Sequence, residues 1–468
     1  MNKVIIAAAA LLVLVLLGAP GLVGSITEAR VRERVAAIDA SPTAAAELTS
    51  FERGWFRSTA RIAIELAPND LAQAAAAAGT PLGVFNTLPI VVELAHGPVA
   101  VLGGAHFGWS KMVVQPDLEA PGVAELTQTV GVPHLFEFRA RTSYLGAVQF
   151  DADAPPFELP IDEALLTFSG GTLAGTFAGR RLVADAQAGS VDFTSPTGTF
   201  SVRGLQASAD NELLSQYVMP GLASLQIEKI SMAYPDQTAS PLFEATNLQV
   251  RSDVDLDAAS ELLEMRINYD VDSLRAEDNE VTAASLALTV RNLDVAAVEA
   301  YSAAAGDAAA AGADPAALLA AIGPHVERAL KAGPSLTLDP IRFRYNGEPF
   351  DGRVELTSNP GRLPPAGTLT LDNPLLLLGL VNTKADVRLS KILAGQLATL
   401  GARMQLAGDP SIPPDQIDYM AEAQSGLMIT LLVGQGVLVE DGENYRSAVE
   451  YTDGALTLNG SALPFGLQ

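Results

Sequence analysis

The chain has 468 residues, of which 49% are hydrophobic and only 6% aromatic, and its formal net charge is -25 at pH 7. This acidic balance argues against a nucleic acid as partner, and against electrostatic binding to anionic lipid head groups. The absence of cysteine excludes disulfides, thiolate metal sites and cysteine nucleophiles.

The N-terminus predicts a membrane anchor. After Lys3 comes an apolar segment, residues 4–24, which is long enough to cross a bilayer as a helix. The small residues at 19–21 are interrupted by proline, so an uncleaved anchor is favoured over a cleaved signal peptide. With Lys3 held inside, the sequence predicts a single-pass protein of the Gram-negative inner membrane with the bulk of its chain in the periplasm.

The next segment, residues 26–46, is predicted to form a helical stalk, because Val31, Val35 and Ile38 fall near one face of a helix. Strand signals then dominate residues 47–293, which we interpret as a β-rich ectodomain. Apolar and polar side chains alternate in 265–271, as expected for a strand with one buried and one solvent-facing side. Turn residues at short intervals predict large antiparallel sheets.

Helices are predicted in a mixed C-terminal region, residues 294–468. An Ala-rich pair occupies 294–331, and Gly323-Pro324 is expected to kink or break its second member. Further helices are expected at about 390–406 and 414–433. The predicted fold class is therefore α+β and β-rich. An N-terminal transmembrane helix, residues 1–25, precedes large antiparallel sheets with helices inserted in the C-terminal half.

No sequence pattern identifies a reaction. The four histidines form no pair at helical metal-binding spacing, although His96 and His106 could meet across a hairpin. An enzyme would need both to converge with a carboxylate such as Glu93. We expect no enzymatic activity, no cofactor and no metal.

One acidic run has calcium-loop spacing. Asp253, Asp255 and Asp257 alternate as in the first half of such a loop, but alanine stands where the loop needs glycine. A strand with one solvent-facing side is therefore favoured over a calcium site.

Several segments together resemble a known family. FERGWFRS at 51–58, HGP at 96–98, GPSLTLDP at 333–340, YRS at 445–447 and DGALTLNG at 453–460 are similar, in this order, to the bacterial YdgA-like group of unknown function, DUF945. The resemblance spans the whole chain and implies an inner-membrane-anchored periplasmic protein without assigned activity. It supplies no catalytic residue. The positions that match, taken as candidate binding residues, are Arg53, Gly54, Trp55, Phe56, His96, Gly97 and Pro98.

Three functions stay open. The favoured one is a non-enzymatic envelope scaffold that assembles with itself as a homo-oligomer. The second is a protein that binds or transfers lipid, or another apolar ligand, in a groove of its sheet; its plan resembles lipid-bridging proteins of the AsmA type. The third is an enzyme that uses His96 and His106. A continuous, uncovered apolar sheet face would favour the second function over the first.

Overall fold

The computed structural model describes most of the chain. The described residues are part of 28–39, then 44–66, 87–96, 99–102, 105–161, 163–215, 217–235, 241–277, 279–310, 315–364, 379–407 and 413–463. Within these ranges no helix is both long and apolar enough to cross a bilayer. The predicted anchor, residues 1–25, lies outside them.

The chain divides into two compact units. Unit 1 comprises Met1–Leu214, Tyr234–Asp236 and Gly306–Ala313, and unit 2 comprises Ser215–Ala233, Gln237–Ala305 and Asp314–Gln468. The main division thus falls near residue 214, inside the segment 47–293 that the sequence analysis treats as one region.

Unit 1 contains a large antiparallel sheet. Its strands are β1 (Ala44–Arg53), β2 (Arg57–Leu66), β3 (Thr87–His96), β4 (Val99–Val101), β5 (Ala105–Phe107), β6 (Ser110–Pro116), β7 (Glu137–Thr142), β8 (Val148–Ala154), β9 (Phe157–Ile161), β10 (Ala164–Phe168), β11 (Gly171–Ala178), β12 (Arg181–Ser195) and β13 (Gly198–Glu212). The pairing order is β1-β2-β3-β6-β7-β8-β11-β12-β13, with β10 between β9 and the second half of β12. β4 and β5 pair separately, and helix α1 (Pro121–Val130) follows β6.

Helical residues between 28 and 39 pack on this sheet. Val35 is buried in a cluster with Ile62, Ile90 and other aliphatic side chains of β1 to β3, and Val31 packs against the same cluster. The predicted apolar helix face is confirmed at these two valines, while Ile38 lies outside the described residues. β1 begins at residue 44, before the predicted end of the stalk at 46.

Unit 2 also contains an antiparallel sheet. The elements from here to the C-terminus are β14 (Gly221–Ala233), β15 (Phe243–Asp257), β16 (Leu262–Ala276), β17 (Asn279–Asp294), α2 (Val295–Ala310), α3 (Pro315–Lys331), β18 (Ser335–Tyr345), β19 (Glu348–Ser358), β20 (Val381–Ser390), α4 (Lys391–Ala407), α5 (Pro414–Gly434), β21 (Val439–Asp441), β22 (Asn444–Thr452), β23 (Ala455–Leu458) and β24 (Ser461–Leu463). β14 to β20 pair in sequence order, β22 pairs with β20, and β21 and β23 share the other side of β22.

The four predicted helices of this region are present, and strand-end residues cap two of them. Asp294, at the end of β17, accepts a hydrogen bond from the Ala297 N–H, 2.7 Å away. Ser390, at the end of β20, does the same for the Leu393 N–H at 2.9 Å. α3 continues past Pro324 to Lys331. Of the two expected outcomes, a kink or a break, the break therefore does not occur. In the turn after Pro324, Glu327 is buried and forms an ion pair with Lys331, with the two atoms 2.8 Å apart.

The first turn of α4 is fixed by a buried leucine. Leu393 is fully buried and forms a core cluster with Leu389 of β20 and Ala394, against which Phe343 and Phe350 pack. These two rings are stacked with their centroids 4.5 Å apart. The cluster therefore joins α4 to one end of the unit 2 sheet.

We expect Leu393→Ala to lower the free energy of unfolding by about 2–5 kcal/mol, because it leaves a cavity in this core. Its neighbour Ile392 is 60% exposed, so Ile392→Ala should change stability by well under half as much. Urea denaturation followed by circular dichroism measures both. Equal losses would show that the cluster does not hold α4 to the sheet.

Candidate functional site

A tight turn between β1 and β2 carries four of the family-matching residues. The Gly54 N–H donates a hydrogen bond to the Arg57 carbonyl oxygen at 2.9 Å. A Cβ atom at position 54 would meet that oxygen at 2.3 Å, so the turn requires glycine. This geometry leaves Trp55 and Phe56 exposed, at 57% and 50%.

His96 lies at the end of β3, directly beside this turn. Its backbone N–H donates to the Phe56 carbonyl oxygen at 2.9 Å. Its Nε2 atom is 3.0 Å from the Ser58 hydroxyl oxygen, and both side chains are only 1% exposed. The structure thus brings His96 together with the Arg53–Phe56 turn. The remaining matched positions, Gly97 and Pro98, lie outside the described residues.

A row of polar residues ends the apolar core on this side of unit 1. Ser58, His96, Ser110 and Thr142 come from β2, β3, β6 and β7. His96 is in register with Ser110, which is in register with Thr142, and these two hydroxyl oxygens are 3.1 Å apart. Hydrogen bonds within the row offset the cost of burying its polar groups.

The structure does not bring His96 and Glu93 together. Glu93 lies three residues before His96 in a strand, so their side chains point to opposite faces, and the Glu93 carboxylate forms an ion pair with Arg57. His106 pairs with Ala100 in the small β4–β5 sheet, and its side chain lies outside the described residues. Among the side chains that the structure describes, no group of three histidines and carboxylates could hold a metal ion.

Unit 2 has a second notable surface, a continuous aliphatic sheet face. One row runs across neighbouring strands, with each residue paired to the next. It consists of Ile267, Leu288, Leu338, Val354, Ala385 and Val449. A parallel row contains Val254, Met265, Val290, Leu336 and Leu356. We call this surface the aliphatic face. Because paired residues share a side of the sheet, the aliphatic face extends from β15 to β22.

The aliphatic face remains partly exposed to solvent. Ile267, Leu288 and Leu338 all keep part of their surface accessible, and Tyr269 is 40% exposed. By contrast, Val92 and Leu94 of unit 1 are almost completely buried in the core cluster beneath residues 28–39. Within the part of unit 2 that the structure describes, these side chains therefore lack the burial that a second packed layer provides.

The opposite face of the same strands is charged. Arg266 lies 3.6 Å from a carboxylate oxygen of Asp253 and 3.7 Å from one of Asp255, which confirms the strand interpretation of the acidic run. Further along, a hydrogen-bonded ion pair with Arg446 lowers the pKa of Asp386. The two faces of the described strands are thus chemically distinct.

The matching segments belong to one full-length similarity. The profile of a bacterial protein family of unknown function, DUF945, matches residues 1–465. The chain belongs to the DUF945 family. Neither the curated proteins nor the solved structures provide a match. Membership in DUF945 assigns no residue roles, so the geometry alone bears on what this protein does.

Sequence reasoning found part of the polar row and of the turn beside it and missed the rest. It identified Gly54 and His96 but not Ser110 or Thr142, because isolated hydroxyl residues in strands carry no distinctive pattern. Ser58 lies inside the matched segment 51–58 and could have been chosen from it. Strand alternation also placed Glu93 and His96 on opposite faces, which sequence alone could have revealed.

We expect Ser58→Ala to lower the free energy of unfolding by about 1–3 kcal/mol, because it leaves a buried imidazole nitrogen without its hydroxyl partner. Ser50→Ala is the matched control, since the Ser50 hydroxyl is buried and makes no hydrogen bond within the described residues. That variant should be neutral or slightly stabilising. Urea titration of both variants measures this; similar losses would contradict a role for the Ser58–His96 bond.

Gly54→Ala should destabilise unit 1 by about 1–3 kcal/mol, the usual range when an added methyl forces backbone to shift. Gly146, in the β7–β8 turn, has open space around its Cβ position but a φ of 82°. Gly146→Asn, which tolerates that conformation, should therefore be well tolerated. A Gly54→Ala protein with unchanged thermal stability would show that the turn can relax.

Proposed function

We propose that this protein is anchored in the inner membrane of a Gram-negative bacterium by residues 4–24, works in the periplasm, and binds acyl chains of lipids on the aliphatic face of unit 2. The single observation that carries the proposal is the partial exposure of that face. Large contiguous apolar surfaces that remain accessible to solvent mark interaction sites or ligand-binding grooves.

The dimensions of the aliphatic face suit an acyl chain. The seven strands β15 to β20 and β22 at about 4.8 Å spacing span about 29 Å, longer than an extended fatty-acid tail. Its side chains are mostly leucine, isoleucine, valine and methionine, together with Ala385 and Tyr269, whereas arginines and carboxylates occupy the other side. Removing an acyl chain from water contributes about 0.8 kcal/mol for each buried CH₂ group.

The anchor explains how such a ligand would be supplied. The apolar segment of residues 4–24 has the length of a bilayer-spanning helix, so the rest of the chain would remain beside a membrane. A protein held there meets lipids that leave the bilayer before they reach bulk water.

Self-association is the second candidate. Two aliphatic faces could cover each other in a homo-oligomer, which would satisfy the same exposed side chains without a ligand. This alternative predicts a lipid-free dimer or larger assembly, and the first experiment separates the two.

Residues 26–468 retain every described residue and can be expressed in the periplasm and purified without detergent. We expect mass spectrometry to find phospholipid or another acyl-chain molecule at about one equivalent or more. A lipid-free oligomer would favour the scaffold. A lipid-free monomer would contradict both functions.

The double variant Ile267→Asp/Leu338→Asp tests the surface directly. It places two carboxylates on the aliphatic face, where an acyl chain cannot solvate them, so co-purified lipid should fall at least roughly tenfold. Asn268→Asp/Thr337→Asp is the matched control, because it adds the same charges to the same strands on the opposite face. Equal lipid content in both variants, at equal circular dichroism, would place the ligand elsewhere.

A further inference from the structure

We propose that one end of unit 1 rests on the bilayer, with a group of exposed side chains, five aromatic and one leucine, inserted among the lipid head groups. The proposal rests on the anchoring part of the proposed function but is independent of lipid binding in unit 2. We call this end the turn surface; its residues are Trp55, Phe56, Phe107, Trp109, Tyr144 and Leu145.

The side chains of the turn surface are strongly exposed to solvent. Leu145 is 97% exposed and Phe107 is 72% exposed, and the four other members are exposed too. Large apolar side chains gathered at one end of a sheet rarely remain in water in a protein that has no partner there.

The six residues lie at one end because the strands are antiparallel. The β1–β2 turn carries Trp55 and Phe56, and the Phe56 carbonyl is bonded to the end of β3 at His96. Phe107 and Trp109 precede β6, which begins beside the end of β3. The β7–β8 turn carries the last two members of the surface.

Hydrogen bonds and a ring contact join Trp109 to the β7–β8 turn. The Trp109 backbone N–H donates to the Thr142 carbonyl at 2.9 Å, and its indole Nε1–H donates to the Tyr144 carbonyl at 3.1 Å. The Trp109 and Tyr144 rings meet edge to face with their centroids 5.8 Å apart. The turn surface is thus a built arrangement of side chains and not a set of unrelated loop tips.

The N-terminal segment leads to this same end. Glu28, the first described residue, lies with its carboxylate 3.9 Å from the guanidinium of Arg53, which ends β1 beside the turn surface. Only four residue steps separate the apolar segment 4–24 from Glu28, and four residues reach at most about 14 Å. An anchored chain therefore has to keep the turn surface close to the bilayer.

The composition of the turn surface fits a membrane interface. Tryptophan and tyrosine are enriched at head-group level, where their rings are partly apolar and partly hydrogen-bonded. Arg53 and Arg57 flank the turn with half-exposed side chains, which form ion pairs with Glu28 and Glu93. Because the chain is strongly acidic overall, the contact depends on apolar burial more than on charge attraction.

The chain offers a built-in probe, since its two tryptophans, Trp55 and Trp109, both belong to the turn surface. The full chain is reconstituted into phosphatidylcholine vesicles with or without bromine on the acyl chains. We expect brominated lipid to reduce tryptophan emission by roughly half, because interfacial side chains lie about 5–10 Å into the head-group and acyl boundary. Trp55→Phe and Trp109→Phe, made singly, report each position separately.

A matched control uses the opposite end of the same sheet. In a chain with both tryptophans replaced by phenylalanine, Leu118→Trp places one indole just beyond the far end of β6, at a position that is already 40% exposed. Its emission should not respond to bromine. Leu145→Asp should weaken the quenching of Trp109 at least about twofold, because a carboxylate opposes insertion into the interface.

The outcomes separate this inference from the anchor. Protein that resists alkaline extraction but shows no bromine quenching keeps the anchor and overturns the inference. If those tryptophans are also shielded from aqueous iodide, a second copy or another protein covers the turn surface instead of lipid. Protein that alkaline treatment releases from the vesicles overturns the anchor and this inference together.

Discussion

The antiparallel register of β14 to β22 is the constraint on which the aliphatic face depends. Side chains alternate with period two, so a shift of one residue would exchange the aliphatic and charged faces. In β17 the apolar residues Val290 and Leu293 are three positions apart, which in a regular strand would place them on opposite faces. A bulge at Asn292, with φ 58°, brings them to the same face. Both then pair with apolar partners on β16, Met265 and Leu263.

In unit 1 the same alternation has a different outcome. Val31 and Val35, from the helical residues between 28 and 39, pack on the apolar side of β1 to β3, where a buried core cluster forms. Where that cluster ends, Ser58 and His96 replace aliphatic side chains and bond to each other. The Phe56–His96 backbone bond couples this row to the Gly54 turn. The buried polar row therefore lies at the edge of the core, and the exposed aromatic turn lies directly next to it.

Much of this architecture follows from the sequence alone. The alternation at 265–271 gives a strand with two distinct faces, and the apolar spacing and caps of α3, α4 and α5 give their positions to within a few residues. The segment expected to kink or break at Gly323-Pro324 stays helical through Lys331, and Ile322 before the proline and Glu327 after it are both buried. What the sequence cannot supply is the pairing of distant strands. Neither the His96–Ser58 contact nor the clustering of Trp55 with Trp109 has a local signal, because both depend on which strands become neighbours.

The order of strands in unit 2 also affects how the chain can fold. Each of β14 to β17 pairs with its successor in the sequence, so most contacts there join residues close along the chain. Low contact order favours rapid folding, because only short loops have to close, with little loss of entropy, before the strands form stabilising hydrogen bonds. A chain that is synthesised N-terminus first can therefore add one strand at a time, and each new strand shields the open edge left by the one before it.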